Sequence, residues 1–331
     1  MMISLNCIDE DKPGTKWQQI FHKSWPFYKE WFLMEGASAR PGYLTSSSEL
    51  EKFMPELMPI YHQLCSLAGG DDLSARYLSM YCPPPYLAAC SQLVWIVNEP
   101  VLIRNYDYNP ALFEGAMLRT NWLQPVIGMS DCNWGLLDGI NASGLAISLA
   151  FGGKRSRGVG FGIPIIIRYL LETCHSVQDA REKLKYLPVH MAYNITMVDK
   201  QKDFSTVYVG PNQTPLITQD MAATNHQQVV EWENYALMTS SQERIDTLVA
   251  KMNVPNQSED NLLNAFGVPP LYVYKPEKSF VTLYTAVYRP WSTSMKVYWE
   301  GQILNQSTTN FKEQVYTKKF NKPDDILVDK N

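Results

Sequence analysis

The chain has 331 residues, of which 45% are hydrophobic and 19% are charged, and its formal net charge is −4. This composition excludes an intrinsically disordered chain, because it provides ample apolar material for a core at low net charge. It also argues against a nucleic-acid partner, since 29 Lys and Arg residues face 33 Asp and Glu residues and no long basic run occurs.

The first 89 residues are predicted to be helical. Amphipathic spacing predicts one helix over 16–34, on either side of Pro26. A second helix is predicted to begin at the Thr-Ser-Ser-Ser run 45–48, with a capping box, and to end at the glycine pair 69–70. A third, over 71–81, must end before the three prolines at 83–85, which hold the chain extended.

After the prolines the pattern changes to strands. Residues 90–97 and 101–106 flank a turn and are predicted to form a hairpin. The remaining expectations are strands at 115–119, 123–129, 144–150, 190–198, 204–209, 220–224, 280–288 and 294–299, and helices at 163–174, 176–187, 240–252 and 259–266. Blocks of strands and helices favour an α+β fold of stacked antiparallel sheets with helices outside. The polar chain after Gln302 is predicted to pack loosely.

The strongest chemical signal is Cys90, which follows the small residues Ala88 and Ala89. Arg104 and Asp107 lie one short hairpin later, so all three are expected at the same end of a sheet. A thiol beside a guanidinium is held more readily as the nucleophilic thiolate. The alternative for Cys90 is a cysteine that only packs in the core. The alternative for Arg104 and Asp107 is a surface ion pair that contributes little to stability.

These residues resemble the N-terminal-nucleophile (Ntn) hydrolases. The chain is similar to the group that holds choloylglycine hydrolase, penicillin V acylase, acid ceramidase and acyl-coenzyme A:6-aminopenicillanic acid acyltransferase. The similarity extends over about 90–305 and is carried by Cys90 with Arg104-x-x-Asp107, the glycine-rich stretch 135–146, the predicted helix pair at 162–180, Asn194 within 192–199, and Thr224-Asn225-His226. The acyltransferase-like members are the nearer likeness, and the second arginine that the bile-salt hydrolases place late in the chain is not matched.

The resemblance implies a four-layer αββα sandwich of two antiparallel sheets with an N-terminal helical segment. It implies self-cleavage between Ala89 and Cys90, so that residues 1–89 become an α-subunit or propeptide and 90–331 the catalytic β-subunit. The expected product is an α/β heterodimer, with further homo-oligomerisation left open. The expected activity is hydrolysis of a non-peptide or N-acyl amide C–N bond. Acyl transfer to an amine and a non-catalytic Ntn-fold binding protein are the alternatives.

The resemblance also implies roles for individual residues. Cys90 would be the nucleophile and its freed α-amine the base, since an α-amine titrates near neutral pH. Asp107 would hold that amine, Arg104 would favour the thiolate, and Asn194 would donate to the oxyanion. Asp138 and Asn141 are interpreted as turn residues.

A second set of residues is predicted to contact the substrate, an acyl amide or acyl donor. Tyr106 and Trp134 are candidates for an apolar acyl pocket, although such aromatics more often form core. Asn225 and His226 either line the pocket or support the sheet. Arg155, in a basic glycine-rich loop, belongs either to a flap that meets an anionic substrate or to a solvated loop.

Location and cofactors follow from what the sequence lacks. No run of about eighteen apolar residues occurs, so no membrane span is expected. The N-terminus has no signal-peptide pattern, and a cytoplasmic location is therefore predicted. The six cysteines are scattered without a C-x-x-C pair, so we expect neither a disulfide framework nor a zinc site. No cofactor is predicted.

Overall fold

The computed structural model describes residues 2–275, 280–299 and 301–319. None of the helices within these ranges is long and apolar enough to cross a membrane. The cytoplasmic location remains a prediction.

The N-terminal segment contains one strand as well as helices. Its elements are β1 (Met2–Asp9), α1 (Thr15–Phe32), α2 (Tyr43–Phe53), α3 (Met58–Leu67) and α4 (Asp72–Leu78). Pro26 lies inside α1 without ending it. The single helix predicted after residue 45 is in fact two, because Pro55 opens a short 3₁₀ turn between them. No capping box forms, since α2 begins earlier, after Gly42.

The larger sheet has nine strands among the described residues. Its members beyond β1 are β4 (Ala116–Asn121), β5 (Pro125–Asp131), β6 (Gly135–Asn141), β7 (Ala146–Phe151), β8 (Tyr193–Val198), β9 (Phe204–Val209), β10 (Leu216–Thr218) and β16 (Gln314–Lys319). They run in the order β10-β9-β8-β7-β6-β5-β4-β1-β16. β1 therefore pairs with β4 in parallel and with β16 antiparallel. Two features differ from the sequence analysis: Gly135–Asn141, the first part of the glycine-rich stretch, is the buried strand β6, and the polar tail supplies β16.

The smaller sheet carries the predicted hairpin. Its strands are β2 (Ala89–Trp95), β3 (Val101–Tyr108), β11 (Ala222–Ala223), β12 (Tyr274–Lys275), β13 (Phe280–Arg289), β14 (Ser294–Trp299) and β15 (Gln302–Ser307). The order is β11-β2-β3-β13-β14-β15, with β12 beside β13. β15 is a second strand in the tail that was expected to be loose.

Helices cover the outer face of each sheet, and this confirms the predicted four-layer sandwich. The covering helices are α5 (Ile163–Thr173) and α6 (Val177–Leu184) on the larger sheet, and α8 (Ser241–Met252) and α9 (Glu259–Phe266) on the smaller one, with α7 (Glu233–Met238) before α8. α5 can approach β6 closely because Gly139 has no side chain; a Cβ there would lie 2.9 Å from Leu171 Cδ1.

The two sheets meet through a continuous buried core. Polar side chains also join them: the Ser148 hydroxyl of β7 donates to Gln92 of β2 at 2.6 Å. A separate apolar cluster lies between the smaller sheet and its helices, with Leu93 and Ile103 against Leu248 and Phe266. Alternate residues of β2 and β3 therefore face two different interiors, which decides where each candidate side chain points.

Candidate active site

Cys90 and Arg104 meet on the inner face of the hairpin. Cys90 lies opposite Tyr106 and Arg104 opposite Gln92 in the β2–β3 register. The Arg104 Nη2 atom is 3.2 Å from Cys90 Sγ, and both side chains are fully buried. Burial raises the pKa of the Cys90 thiol, while Arg104 pulls it down and Asp107 adds to the rise. Proximity to Arg104 therefore does not by itself make the thiol acidic in this uncut chain.

Arg104 is held from the opposite sheet by Asp138. The Arg104 Nη1 atom bonds to the Asp138 carboxylate, and both groups are completely buried. Tyr284 donates to the same carboxylate oxygen at 2.7 Å, and Tyr288 donates to the other one. Asp138 was interpreted as a turn residue, and this is corrected: it lies in β6 facing the hairpin. Asn141 does organise the following turn, where its Oδ1 accepts from Ser143 N and Leu145 N.

Asp107 points to the other face of the smaller sheet. Residues three apart on a strand project to opposite sides, so the Asp107 carboxylate leaves the Arg104 side. It accepts from Arg244 Nη1 at 2.9 Å and from the Thr282 hydroxyl at 2.6 Å. Burial raises the pKa of Asp107 to about 6, against the opposing effects of Arg244 and Thr282.

Asn225 connects this ion pair to the backbone at Cys90. Its Oδ1 atom accepts from the Cys90 backbone N–H at 2.9 Å and from Arg244 Nη2 at 2.6 Å. Its Nδ2 atom donates to the Ala88 carbonyl at 3.0 Å and to the Phe151 carbonyl at 3.2 Å. One buried amide is thus hydrogen-bonded to the backbone on both sides of Ala89, the residue before the predicted cleavage site.

The sequence model of one protein family, acyl-coenzyme A:6-aminopenicillanic acid acyl-transferase, matches residues 97–303. This match spans more than half of the chain. The chain belongs to this family. The matched range includes the Arg104–Asp138 and Asp107–Arg244 pairs, and it begins just after Cys90. No curated protein matches this sequence.

Several solved structures are similar to this chain. They include a mutant of conjugated bile acid hydrolase from Clostridium perfringens, at 11% identity, TM-score 0.48, and 70% and 97% coverage of the two chains. Penicillin V acylase from Agrobacterium tumefaciens is 14% identical, with TM-score 0.47 and coverage of 69% and 90%. The Caenorhabditis elegans ortholog of N-acylethanolamine-hydrolyzing acid amidase is 13% identical, with TM-score 0.47 and coverage of 70% and 100%.

In this acyl-transferase family member, Asn194 has a different set of contacts from those expected of an oxyanion donor. Its Nδ2 atom donates to the backbone carbonyls of Thr224 and His226, at 2.8 and 2.9 Å. Within the described residues its Oδ1 atom is buried without a hydrogen-bond partner. With both N–H groups occupied, Asn194 holds the loop that presents Asn225.

Of the residues predicted to contact substrate, some lie near Cys90 and Asn225 and others do not. Tyr106 lies opposite Cys90, and its hydroxyl is 2.6 Å from that of Tyr86. His226 adjoins Asn225 and bonds through Nδ1 to the Ser241 hydroxyl at 2.8 Å. Trp134 and Arg155 do not join this group. The Trp134 indole donates to the Leu78 carbonyl in the core, and the exposed Arg155 lies over the Trp232 ring, 4.6 Å from its centroid.

Arg244 is the residue that sequence reasoning missed. It occupies the buried stripe of α8 with Ser241 and Leu248, at the spacing of one helical face. The available signal was an arginine on the core-facing side of a predicted helix, because a buried arginine needs a buried anion. The sequence does not identify that anion, and only the fold shows that it is Asp107.

An open cavity lies beside the candidate site. It has a volume of about 310 Å³ and is lined by Tyr86, Tyr108, Asp131 and α1 residues including Trp31. Tyr86 connects the cavity to the candidate site, because its hydroxyl is hydrogen-bonded to that of Tyr106, the residue opposite Cys90. Within the described parts of the chain, no group of three His, Cys, Asp or Glu side chains is arranged to hold a metal ion.

Proposed function

We propose that this chain is a self-processing N-terminal-cysteine amidohydrolase that cleaves a non-peptide or N-acyl amide C–N bond through an acyl-enzyme. The observation that carries the proposal is the Asn225 amide, which holds both Ala88 and Cys90 while Arg104 contacts the Cys90 thiol. A buried network centred on one peptide segment and one sulfur is more than packing requires. Membership of an acyl-transferase family supports chemistry at an acyl carbon.

Self-cleavage would begin with attack of Cys90 Sγ on the Ala89 carbonyl carbon. The Ala89–Cys90 C–N bond breaks, the thiol proton passes to the leaving nitrogen, and a thioester forms. Water then hydrolyses the thioester, which releases the Ala89 carboxylate and restores the thiol. Asn225 would contribute by fixing the segment, because orientation of the reacting groups lowers the barrier. The products are an α-subunit of residues 1–89 and a β-subunit of residues 90–331.

Turnover would use the same residues with the new α-amine as base. The thiolate attacks the substrate carbonyl, the amine product leaves, and water hydrolyses the acyl-enzyme. When the segment ending at Ala89 moves away, Asn225 Nδ2 loses its Ala88 partner. We propose this N–H, in place of Asn194, as a donor to the oxyanion. Asp107 would act at a distance, by holding Arg244 against Asn225.

Acyl transfer to an amine is the second candidate function, and the name of the family is the observation that favours it. The two reactions share the acyl-enzyme and differ in what attacks it. A new amide formed when an acceptor amine is added with an acyl donor would indicate transfer. Release of the free acid alone would indicate hydrolysis.

The deciding experiment is intact mass spectrometry of the denatured wild type beside Cys90→Ala. Cleavage before Cys90 would divide the 37.8 kDa chain into pieces of roughly 10 and roughly 28 kDa, and we expect both in the wild type if the cut frees the nucleophile. We expect one uncut chain in the variant. Cys132→Ala is the matched control, since Cys132 is also a buried free cysteine, and it should still be cut. An uncut wild type would overturn self-processing.

A further inference from the structure

Two fully buried ion pairs lie on the two faces of β3, close to Cys90, and their charges balance. Arg104 pairs with Asp138 on the inner face of β3. Arg244 pairs with Asp107 on the outer face. We call these four residues the charge cluster. All four side chains have no solvent exposure, so water cannot screen any imbalance among them.

The neutral thiol fits this balance and a thiolate does not. A thiolate at Cys90 would be a fifth buried charge with no cation of its own, and unpaired buried charges are strongly disfavoured. The other groups that face the sulfur and its partners from β3, β13, α7 and the Asn225 loop are uncharged or protonated: Tyr106, Tyr284, Tyr288, Tyr235 and Asn225. Burial, which raises the pKa of the thiol, acts in the same direction.

Asp138 is the group that limits what Arg104 can do for the sulfur. Arg104 donates to three acceptors, with Nη2 at Cys90 Sγ and Nη1 at Asp138 and Tyr284. Asp138 therefore fixes the guanidinium in place against the thiol. The same carboxylate compensates the positive charge that would otherwise stabilise a thiolate.

We propose that Asp138 is a positioning residue that holds Arg104 against Cys90 and cancels its charge, so that Cys90 ionises only when another cation enters the charge cluster. The proposal deepens the function given above and rests on it for the identity of that cation. Cleavage before Cys90 would create an α-amine there. Transfer of the thiol proton to this amine gives an ammonium and a thiolate, and the net charge of the cluster does not change.

The test is a titration of the Cys90 thiolate by its ultraviolet absorbance, taken as the difference between each protein and its Cys90→Ser counterpart. The subtraction removes the other cysteines and the tyrosines. In Asp138→Asn, Arg104 is no longer compensated, and we expect about tenfold more thiolate at a given pH below the midpoint. Asp138→Glu, which keeps the charge, should titrate close to wild type. Tyr288→Phe, which removes only a hydrogen bond to Asp138, should also titrate close to wild type.

A double variant keeps the test decisive if Asp138→Asn does not fold. Arg104→Gln with Asp138→Asn removes both partners, so no buried charge is left alone. A balanced cluster predicts a Cys90 titration within about threefold of wild type, whereas activation by Arg104 alone predicts at least tenfold less thiolate. The latter result, or an unchanged midpoint in a folded Asp138→Asn, would overturn the proposal. The measurement needs no turnover, and each variant is compared with wild type in the same cut or uncut form, as established by mass. Failure of the proposed function would therefore show separately, as a single mass in the wild type.

Discussion

Asn225 accepts a hydrogen bond from the backbone N–H of Cys90 at 2.9 Å, and the same side chain donates to the carbonyl of Ala88. A side chain that bonds on both sides of one residue fixes the local backbone more firmly than either bond alone. Asn225 is in turn held by Arg244, whose guanidinium also contacts Asp107. The network therefore runs from a buried carboxylate to the peptide bond that we propose is cut.

Replacing Asn225 should slow self-processing. In Asn225→Asp the side chain keeps its size but loses the N–H group that bonds to Ala88, so the segment is less well oriented. We expect cleavage to slow by about 10²-fold, the typical cost of a small misplacement of reacting groups. The measurement is the rate at which the two pieces appear by mass. Asn212→Asp, in an exposed turn, should cleave at the wild-type rate.

Removing Arg244 should destabilise the fold. Arg244→Met leaves the Asp107 carboxylate buried without its cation, and loss of one partner of a buried pair costs about 3–5 kcal/mol. The pKa of Asp107, which burial holds at about 6, should rise further. Urea unfolding measures the loss. Arg181→Met removes a partly exposed pair with Asp203 and should cost about 1 kcal/mol or less; equal losses would contradict the assigned burial.

The contact of α1 with the larger sheet should weaken as pH rises. The Tyr28 hydroxyl lies 2.6 Å from both Glu114 Oε2 and Asp131 Oδ1. One hydroxyl hydrogen cannot serve two carboxylates, so a second proton must be shared within this trio. Burial, with the neighbouring Asp131 charge, raises the pKa of Glu114 to about 7 from 4.5.

The sign of the pH effect follows from that direction. A carboxyl whose pKa is raised on folding stabilises the protein fully below pH 4.5, and this contribution is lost as pH rises through about 7. We expect Tm to fall over this window in the wild type. Glu114→Gln should flatten the fall, whereas Glu56→Gln, a partly exposed carboxyl that contacts Lys183, should not. An equal slope in both variants would contradict a shared proton.

The two pieces of a cleaved chain should stay together. β1 lies between β4 and β16 in the larger sheet, so separation would break the ladders on both of its sides and expose the core beneath α1. We expect one species of about the uncut mass in native size-exclusion chromatography and two pieces after denaturation. Two separate species under native conditions would contradict this expectation.

Much of the fold follows from the sequence alone. Helical spacing predicts helices at 71–81 and 176–187, and the structure has α4 and α6 within those ranges. Hairpin spacing brings Cys90 and Arg104 together, since register is fixed by a short turn. β1 and β16 were missed because their partners lie far away in the chain, so the local pattern does not reveal them. β6 and β15 pair with neighbouring strands, but glycines in β6 and polar residues in β15 weaken the strand pattern.

The local sequence determined which residue types are available to the candidate site: a thiol, an arginine and a carboxylate on one hairpin, and an Asn-His pair further on. Only the tertiary structure decided which of them meet. Arg104 pairs with Asp138 because the two sheets stack face to face, and Asp107 pairs with Arg244 because α8 covers the opposite face of the smaller sheet. The physical reason is desolvation. A buried charge must be compensated by another buried charge, and that partner is chosen by packing between elements distant in the chain, which no local pattern encodes.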